Sequence, residues 1–164
     1  EVWQITEKEA LNKALENSIE LKLQTEKLKL AELDLKRAKV SSPELDIQIK
    51  EKQLKKAHLN KDNKREEIED NIQEKYFQFK QSIKKMKLNK ERLYEAEQKY
   101  GLKQEQYKAG LITKTDVLQF EVNMMQSRYN YHSSIAQYYL NESSLENAIN
   151  INWTGVFTDE KSQK

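Results

Sequence analysis

Two histidines and the carboxylates Glu66, Glu67, Glu69 and Asp70 are the side chains of this sequence that could take part in chemistry. The carboxylates alternate with basic residues, which indicates a solvated helix face. The histidines, His58 and His132, lie far apart in the chain, and cysteine is absent. His58 and Asp62 are one helical turn apart and could hold a metal ion weakly, but such pairs are common by chance, so a solvated pair is favoured. No glycine-rich phosphate loop and no motif of a nucleophile with its base is found. The sequence therefore predicts no catalytic residue, no metal site and no cofactor.

The charge balance and the placement of the tyrosines argue against nucleic acid as a partner. Twenty-nine basic and 27 acidic residues leave a formal net charge of +2, so no net field attracts a polyanion. A stacking platform for nucleic acid would require arginines interleaved with aromatic residues. The eight tyrosines of this sequence have hardly any arginines near them. No run approaches 18 apolar residues, so no segment is predicted to span a bilayer as a helix.

The composition predicts an all-α fold, because 3 glycines and 1 proline are too few for the turns of a β or α/β fold. Three signals divide the chain: a capping box at 6–9, Ser-Ser-Pro at 41–43 and a glycine turn at 109–113. They predict helices over 6–40, 44–109 and 114–150. Gly101 or the polar run 60–67 could interrupt the second helix.

The helix lengths predict how the helices are arranged. At the standard rise, the second helix of about 66 residues is nearly as long as the other two together. Short connections make neighbouring helices antiparallel. We therefore predict a long antiparallel coiled-coil hairpin, in which one helix is flanked by two shorter helices stacked end to end. Residues 1–150 form a single repeat and 151–164 an irregular tail, with Trp153 expected close to Trp3.

Apolar residues recur with heptad spacing, which predicts left-handed coiled-coil packing. The row on the second helix is Ile72, Phe79, Met86, Leu93, Tyr100 and Tyr107. The row on the third helix is Leu118, Val122, Met125, Tyr129, His132, Ala136 and Tyr139. We expect these rows to face a partner helix, with His132 packed or hydrogen-bonded in the core.

The first and third helices each carry a second apolar row, and a helix with two apolar faces needs two neighbours. The residues assigned to the seam with another chain are Leu21, Leu28, Leu35, Val117, Met124, Tyr131 and Tyr138. Nearly opposite them on the first helix lie Ile19, Leu23, Leu30, Leu33 and Val40. We therefore predict a homo-oligomer; the alternative is a monomer that leaves modest apolar stripes in water.

The glycine turn also carries a family resemblance. Residues 107–119, YKAGLITKTDVLQ, resemble the helix-to-helix tip of TolC-type outer-membrane efflux proteins. Residues 5–18, ITEKEALNKALENS, are similar to the N-terminal segment of the same family, and residues 30–39, LAELDLKRAK, to its first long helix. The likeness covers about 150 residues in the order of the family.

The resemblance implies a helical repeat that closes with other repeats into the exit duct of a tripartite pump or type I secretion system. The partners implied are the α-hairpin of a membrane-fusion (adaptor) protein and, through it, an inner-membrane transporter. The turn residues that would contact the adaptor are Gly110, Leu111, Ile112 and Thr113. Thr115 and Asp116 match positions that help to hold the entrance of the duct closed. The location implied is exported, periplasmic or in the cell envelope.

Two features differ from the usual pattern of the family. Members that cross an outer membrane insert β-strands where this sequence has only Ser41, Ser42 and Pro43, so no membrane β-barrel is expected from it. Members usually contain two repeats, and this sequence contains one, so either more copies associate or it is a natural or engineered half that cannot complete the duct. The first residues show no signal segment, which would mean no export or earlier removal. The alternative function is a structural coiled-coil scaffold that conducts nothing.

Overall fold

The fold of residues 3–150, seen in a computed structural model, consists of helices joined by short links, and no strand occurs among these residues. The helices are α1 (Glu7–Asn17), α2 (Ile19–Ser41), α3 (Glu44–Lys108) and α4 (Lys114–Ile149). Helix α3 has 65 residues and passes without a break through Gly101 and the polar run 60–67. The predicted all-α fold with one long helix is confirmed, with three shorter helices in place of the predicted two. The expected proximity of Trp3 and Trp153 is not described, because Trp153 lies outside residues 3–150.

The prediction of a single helix over 6–40 is wrong, because the chain breaks at Ser18. This residue has φ −63° and ψ 108°, an extended conformation that ends α1, and its hydroxyl accepts a hydrogen bond from the N–H of Leu21. Serine is favoured at an N-cap position because its hydroxyl accepts a hydrogen bond from an N–H of the first turn, which has no acceptor within the helix. The predicted capping box at Thr6 and Glu9 is present at the start of α1.

The chain separates into two compact units. The first comprises 4–76 with 145–150, and here α2 and the first half of α3 are antiparallel. Ion pairs join Lys39 to Glu51 and Asp34 to Lys50, at 3.5 and 3.3 Å, on either side of the link at Ser42 and Pro43. Further along the pair, Glu20 contacts Lys64 at 2.9 Å.

The second unit comprises Trp3 with 77–144, and it pairs the rest of α3 with α4. Three contacts show the antiparallel direction: Glu97 with Arg128, Asn89 with Asn130, and Gln78 with Asn141. At one end of this unit, Phe79 is fully buried between Trp3 and Tyr138, with ring centroids 5.6 and 5.7 Å away.

The inner face of α3 follows the predicted heptad row. Ile72 and Phe79 are buried, Met86, Leu93 and Tyr100 are half-buried, and only Tyr107 at the end is exposed. Small or polar residues alternate with these large ones at Ser82, Asn89 and Ala96. The buried Ser82 hydroxyl donates to the carbonyl of Phe79, and Asn89 donates to the carbonyl of Asn130. These polar groups are therefore satisfied inside the helix pair.

The two apolar rows of α4 lie on the opposite sides from those predicted. Met124 and Tyr138, assigned to the seam with another chain, are buried within this chain, and Val117 and Tyr131 are half-buried. The same correction applies to α2, where Leu28 is buried and Leu21 and Leu35 are half-buried. On α4, Met124 and Tyr138 share the inner face with the small residues Ser127 and Ser134, which allow a close helix approach.

No helix within residues 3–150 is long and apolar enough to cross a membrane.

Candidate docking surfaces

The turn between α3 and α4 closes the long helix with a Schellman motif. Gly110 has a φ of +74°, in the left-handed region that glycine adopts without steric cost. Its N–H donates to the carbonyl of Tyr107, and the N–H of Leu111 donates to the carbonyl of Gln106, both at 2.9 Å. These two bonds satisfy carbonyls that the helix end would otherwise leave without donors. The backbone of the turn is thus fixed by its own hydrogen bonds.

Thr113 and Asp116 fix the start of α4 through a reciprocal cap. The N–H and the hydroxyl of Thr113 donate to Asp116 Oδ2 at 2.9 and 2.7 Å, and the N–H of Asp116 donates to Thr113 Oγ1 at 3.2 Å. Hydrogen bonds from the hydroxyl and then the N–H of Thr113 lower the pKa of the Asp116 carboxyl from its ordinary value. The ionised carboxylate also suits the positive end of the helix dipole.

Between these two helix ends, the turn presents an apolar side chain to solvent. Leu111 is 73% exposed, whereas Ile112 is half-buried. Thr115 is exposed in the first turn of α4. A surface cleft of about 400 Å³ lies beside the turn. Its lining includes Tyr107, Val117 and Leu118, together with the charged residues Lys108, Lys114 and Glu121. The turn therefore combines a fixed backbone with a small apolar contact surface.

The outer surface of α4 carries a continuous apolar row, here called the outer row. Its members are all exposed: Leu118, Val122, Met125, Tyr129, His132, Ala136 and Tyr139. Three of the largest contributors, Met125, Val122 and Tyr129, are 54%, 60% and 69% exposed. Leu140, which sequence reasoning did not single out, lies on the same face and is 65% exposed. On α2, Ile19, Leu23, Leu30, Leu33 and Val40 are likewise exposed.

The two histidines lie apart, and both are exposed. The expectation of a packed or hydrogen-bonded core position for His132 is wrong, because the outer row faces solvent. Within the described residues, no group of three or more potential metal-ligating side chains is found. The features that could engage partners are therefore the turn and the apolar outer faces.

These features define a class: an antiparallel α-helical coiled-coil protein with a fixed turn and apolar flanks. Residues 44–150, which contain α3, the turn and α4, match the family described as outer membrane efflux protein. The chain belongs to this family of transport channels, which is associated with the outer membrane and the cell envelope. No curated protein and no solved structure matches the chain.

Proposed function

We propose that the chain is a helical component of an efflux or type I secretion conduit in the periplasm, reached by export. In this proposal the turn docks the α-hairpin of a membrane-fusion (adaptor) protein, which links it to an inner-membrane transporter. The observation that carries the proposal is the exposed Leu111 on a hydrogen-bonded turn, inside the range that matches the family. A pre-formed backbone with one projecting apolar side chain suits docking, because little conformational entropy is lost on binding.

The proposal assigns different tasks to the residues around the turn. Gly110 lets the partner backbone approach, and Leu111 and Ile112 supply the apolar contact. Thr113 holds the start of α4 through its cap with Asp116, a task that supports docking without requiring contact. Thr115 and Asp116 remain candidates for the entrance constriction, because both are exposed beside the turn.

Lateral packing against further copies completes the proposed conduit. The exposed fractions of the large apolar side chains from Leu118 to Leu140 correspond to on the order of 700 Å². An interface of standard size buries about 600–1,000 Å² per partner, so the area of this face lies within the range of a stable interface. Few charges flank the row between Leu118 and Tyr139, namely Glu121 and Arg128, so identical copies would not repel each other strongly.

Docking is tested by titrating the isolated α-hairpin of a membrane-fusion protein from the source organism into the chain by calorimetry. Leu111→Glu should weaken binding at least tenfold, because it places a charge in an apolar contact. The matched control is Leu59→Glu, which changes an exposed leucine on α3 far from the turn, and it should bind like the unchanged chain. Absence of binding by the unchanged chain, or equal binding by Leu111→Glu, would contradict the docking role.

Lateral packing is tested by sedimentation velocity over a range of protein concentrations. Val122→Glu should shift the chain towards monomer, because a carboxylate in a helix–helix seam would lose its hydration. Asn123→Glu places the same group on a neighbouring, exposed position outside the row and should leave association unchanged.

The second candidate function, a scaffold that conducts nothing, is favoured by the apolar rows along the flanks of α2 and α4. A scaffold that uses these flanks would lose its partners in Val122→Glu and keep them in Leu111→Glu. A conduit component would lose adaptor binding in Leu111→Glu. The two substitutions therefore discriminate between the two functions.

A further inference from the structure

The outer row of α4 contains one imidazole side chain among its apolar members. His132 lies in the row between Tyr129 and Ala136, with all three residues exposed. The ring of Tyr131, on the adjacent inner side of the helix, is 5.8 Å from the imidazole between centroids. A second copy seated on the outer row would therefore cover His132 together with its apolar neighbours.

The charges around His132 are unfavourable for an imidazolium. Arg128 lies one turn earlier on α4 and pairs with Glu97 of α3 at 3.2 Å. The nearest carboxylates on α4 are Glu121 and Glu142, about 16 and 15 Å away along the helix axis. Lys87, Lys90 and Glu91 lie at about the same level of α3, the helix packed against this part of α4. No ion pair joins His132 to any carboxylate within residues 3–150.

An imidazole takes up a proton between about pH 5 and 8. A neutral imidazole can enter a helix–helix seam beside Tyr129 at modest cost. An imidazolium would lose its hydration without gaining a carboxylate partner. The occupant of the row is a second copy of this chain, because the row exposes a large apolar area and few charges flank it.

We infer that His132 makes the lateral association of this chain dependent on pH, with weaker association in acid. The inference rests on the lateral packing of the proposed function and adds to it a control by protons. Protonation favours the separated copies, so the association constant falls as pH decreases through the titration range of the imidazole. A histidine that must lose its proton on association makes association weaker in acid. Below the titration range of the imidazole, each such histidine reduces the association constant by up to about tenfold per pH unit. With one histidine covered per interface, the dissociation constant should therefore rise by about tenfold from pH 7.5 to pH 5.5.

The experiment measures the dissociation constant of the full chain by sedimentation velocity at pH 7.5 and pH 5.5, at constant ionic strength. His132→Gln keeps a polar side chain of similar size and removes the titration. His58→Gln is the matched control, because His58 is also exposed and lies on α3, outside the outer row. Circular dichroism at both pH values shows whether each variant is folded to the same extent.

The expected result is a rise of about tenfold for the unchanged chain and for His58→Gln, and equal constants at both pH values for His132→Gln. Two results would overturn the inference: association that does not change with pH in the unchanged chain, or a pH dependence that persists in His132→Gln. A chain that stays monomeric at both pH values, up to the highest concentration examined, would instead remove the lateral packing on which the inference rests.

Discussion

The Asp116 carboxylate accepts two hydrogen bonds from Thr113, at 2.9 and 2.7 Å, and its own N–H returns a third to the threonine hydroxyl. The two residues are exposed, so water competes for every one of these groups. The arrangement nevertheless satisfies N–H groups that the start of a helix leaves without acceptors. Asp116 therefore has a structural role that holds whether or not it also shapes an entrance.

The first prediction concerns this cap. Thr113→Ala removes the hydroxyl and should lower the free energy of unfolding by about 1 kcal/mol, the usual cost of losing a threonine N-cap. Hydrogen exchange of the amides in the first turn of α4 should accelerate, whereas exchange in the middle of α3 should not change. Thr115→Ala is the control, because this neighbouring threonine is exposed and is not part of the cap. Equal loss of stability in both variants would contradict the capping role.

The second prediction is the pH dependence that the cap causes. The hydrogen bonds from Thr113 lower the pKa of Asp116, so its folded value lies below its unfolded value. Its contribution to stability is therefore present above the unfolded pKa, near 4, and is lost as pH falls through the folded pKa. Chemical unfolding between pH 6 and pH 2 should show a smaller acid loss for Asp116→Asn than for the unchanged chain. An identical acid loss in the two proteins would contradict this prediction.

The third prediction separates the two described glycines. Gly101 lies inside α3, and a Cβ added there would meet no atom within 4 Å, so Gly101→Ala should raise the free energy of unfolding by about 0.5–1 kcal/mol. Gly110 has a φ of +74°, so Gly110→Ala should lower it by about 1 kcal/mol. Urea unfolding of the two variants at one protein concentration measures both changes. Changes of the same sign would contradict the assignment.

The helix ends were predictable because they depend on a few local interactions. Proline at position 43 and glycine at position 110 each allow few backbone alternatives, and α3 and α4 begin and end within one residue of the prediction. The break at Ser18 was missed, since a serine inside an apolar heptad pattern is also compatible with a continuous helix. Its N-cap role depends on the extended conformation of this residue, with ψ 108°.

The sides of the rows were not predictable from hydrophobicity alone. Five of the seven residues in the outer row of α4 have large apolar side chains, whereas the inner face combines Met124, Tyr131 and Tyr138 with Ser127 and Ser134. Heptad spacing of large apolar residues therefore predicts that the outer row is buried. A close helix pair instead favours large side chains that face small ones, so the inner face is the one that is buried.

The fourth prediction tests this assignment with two adjacent serines. Ser134 is 2% exposed and its hydroxyl donates to the carbonyl of Tyr131, while Ser133 is exposed. Ser134→Leu should lower the free energy of unfolding by about 1–3 kcal/mol, because the inner face has no space for the larger side chain. Ser133→Leu should change it by less than about 0.5 kcal/mol. Thermal unfolding at low protein concentration, where lateral association is minimal, measures both. A destabilisation by Ser133→Leu alone would place the inner face on the other side of α4.

The fifth prediction concerns the buried hydroxyl of Tyr138, which accepts a hydrogen bond from the N–H of Trp3 at 3.0 Å and donates to Glu142. Tyr138→Phe keeps the ring against Phe79 and leaves the N–H of Trp3 without its acceptor. The free energy of unfolding should fall by about 1–2 kcal/mol. Tyr139→Phe is the control, because this neighbouring tyrosine is 61% exposed, and it should have little effect.

The same hydroxyl gives a test in alkaline solution. Burial, followed by the hydrogen bond to Glu142, raises the pKa of Tyr138 above that of an unfolded tyrosine. The stabilisation due to the neutral phenol is therefore present below the unfolded pKa, near 10, and is lost as pH rises through the folded pKa. Unfolding measured between pH 8 and pH 11 should show a smaller alkaline loss for Tyr138→Phe than for Tyr139→Phe. Equal losses would mean that the phenol of Tyr138 ionises in the folded chain as readily as in the unfolded one, which a buried donor to Glu142 does not allow.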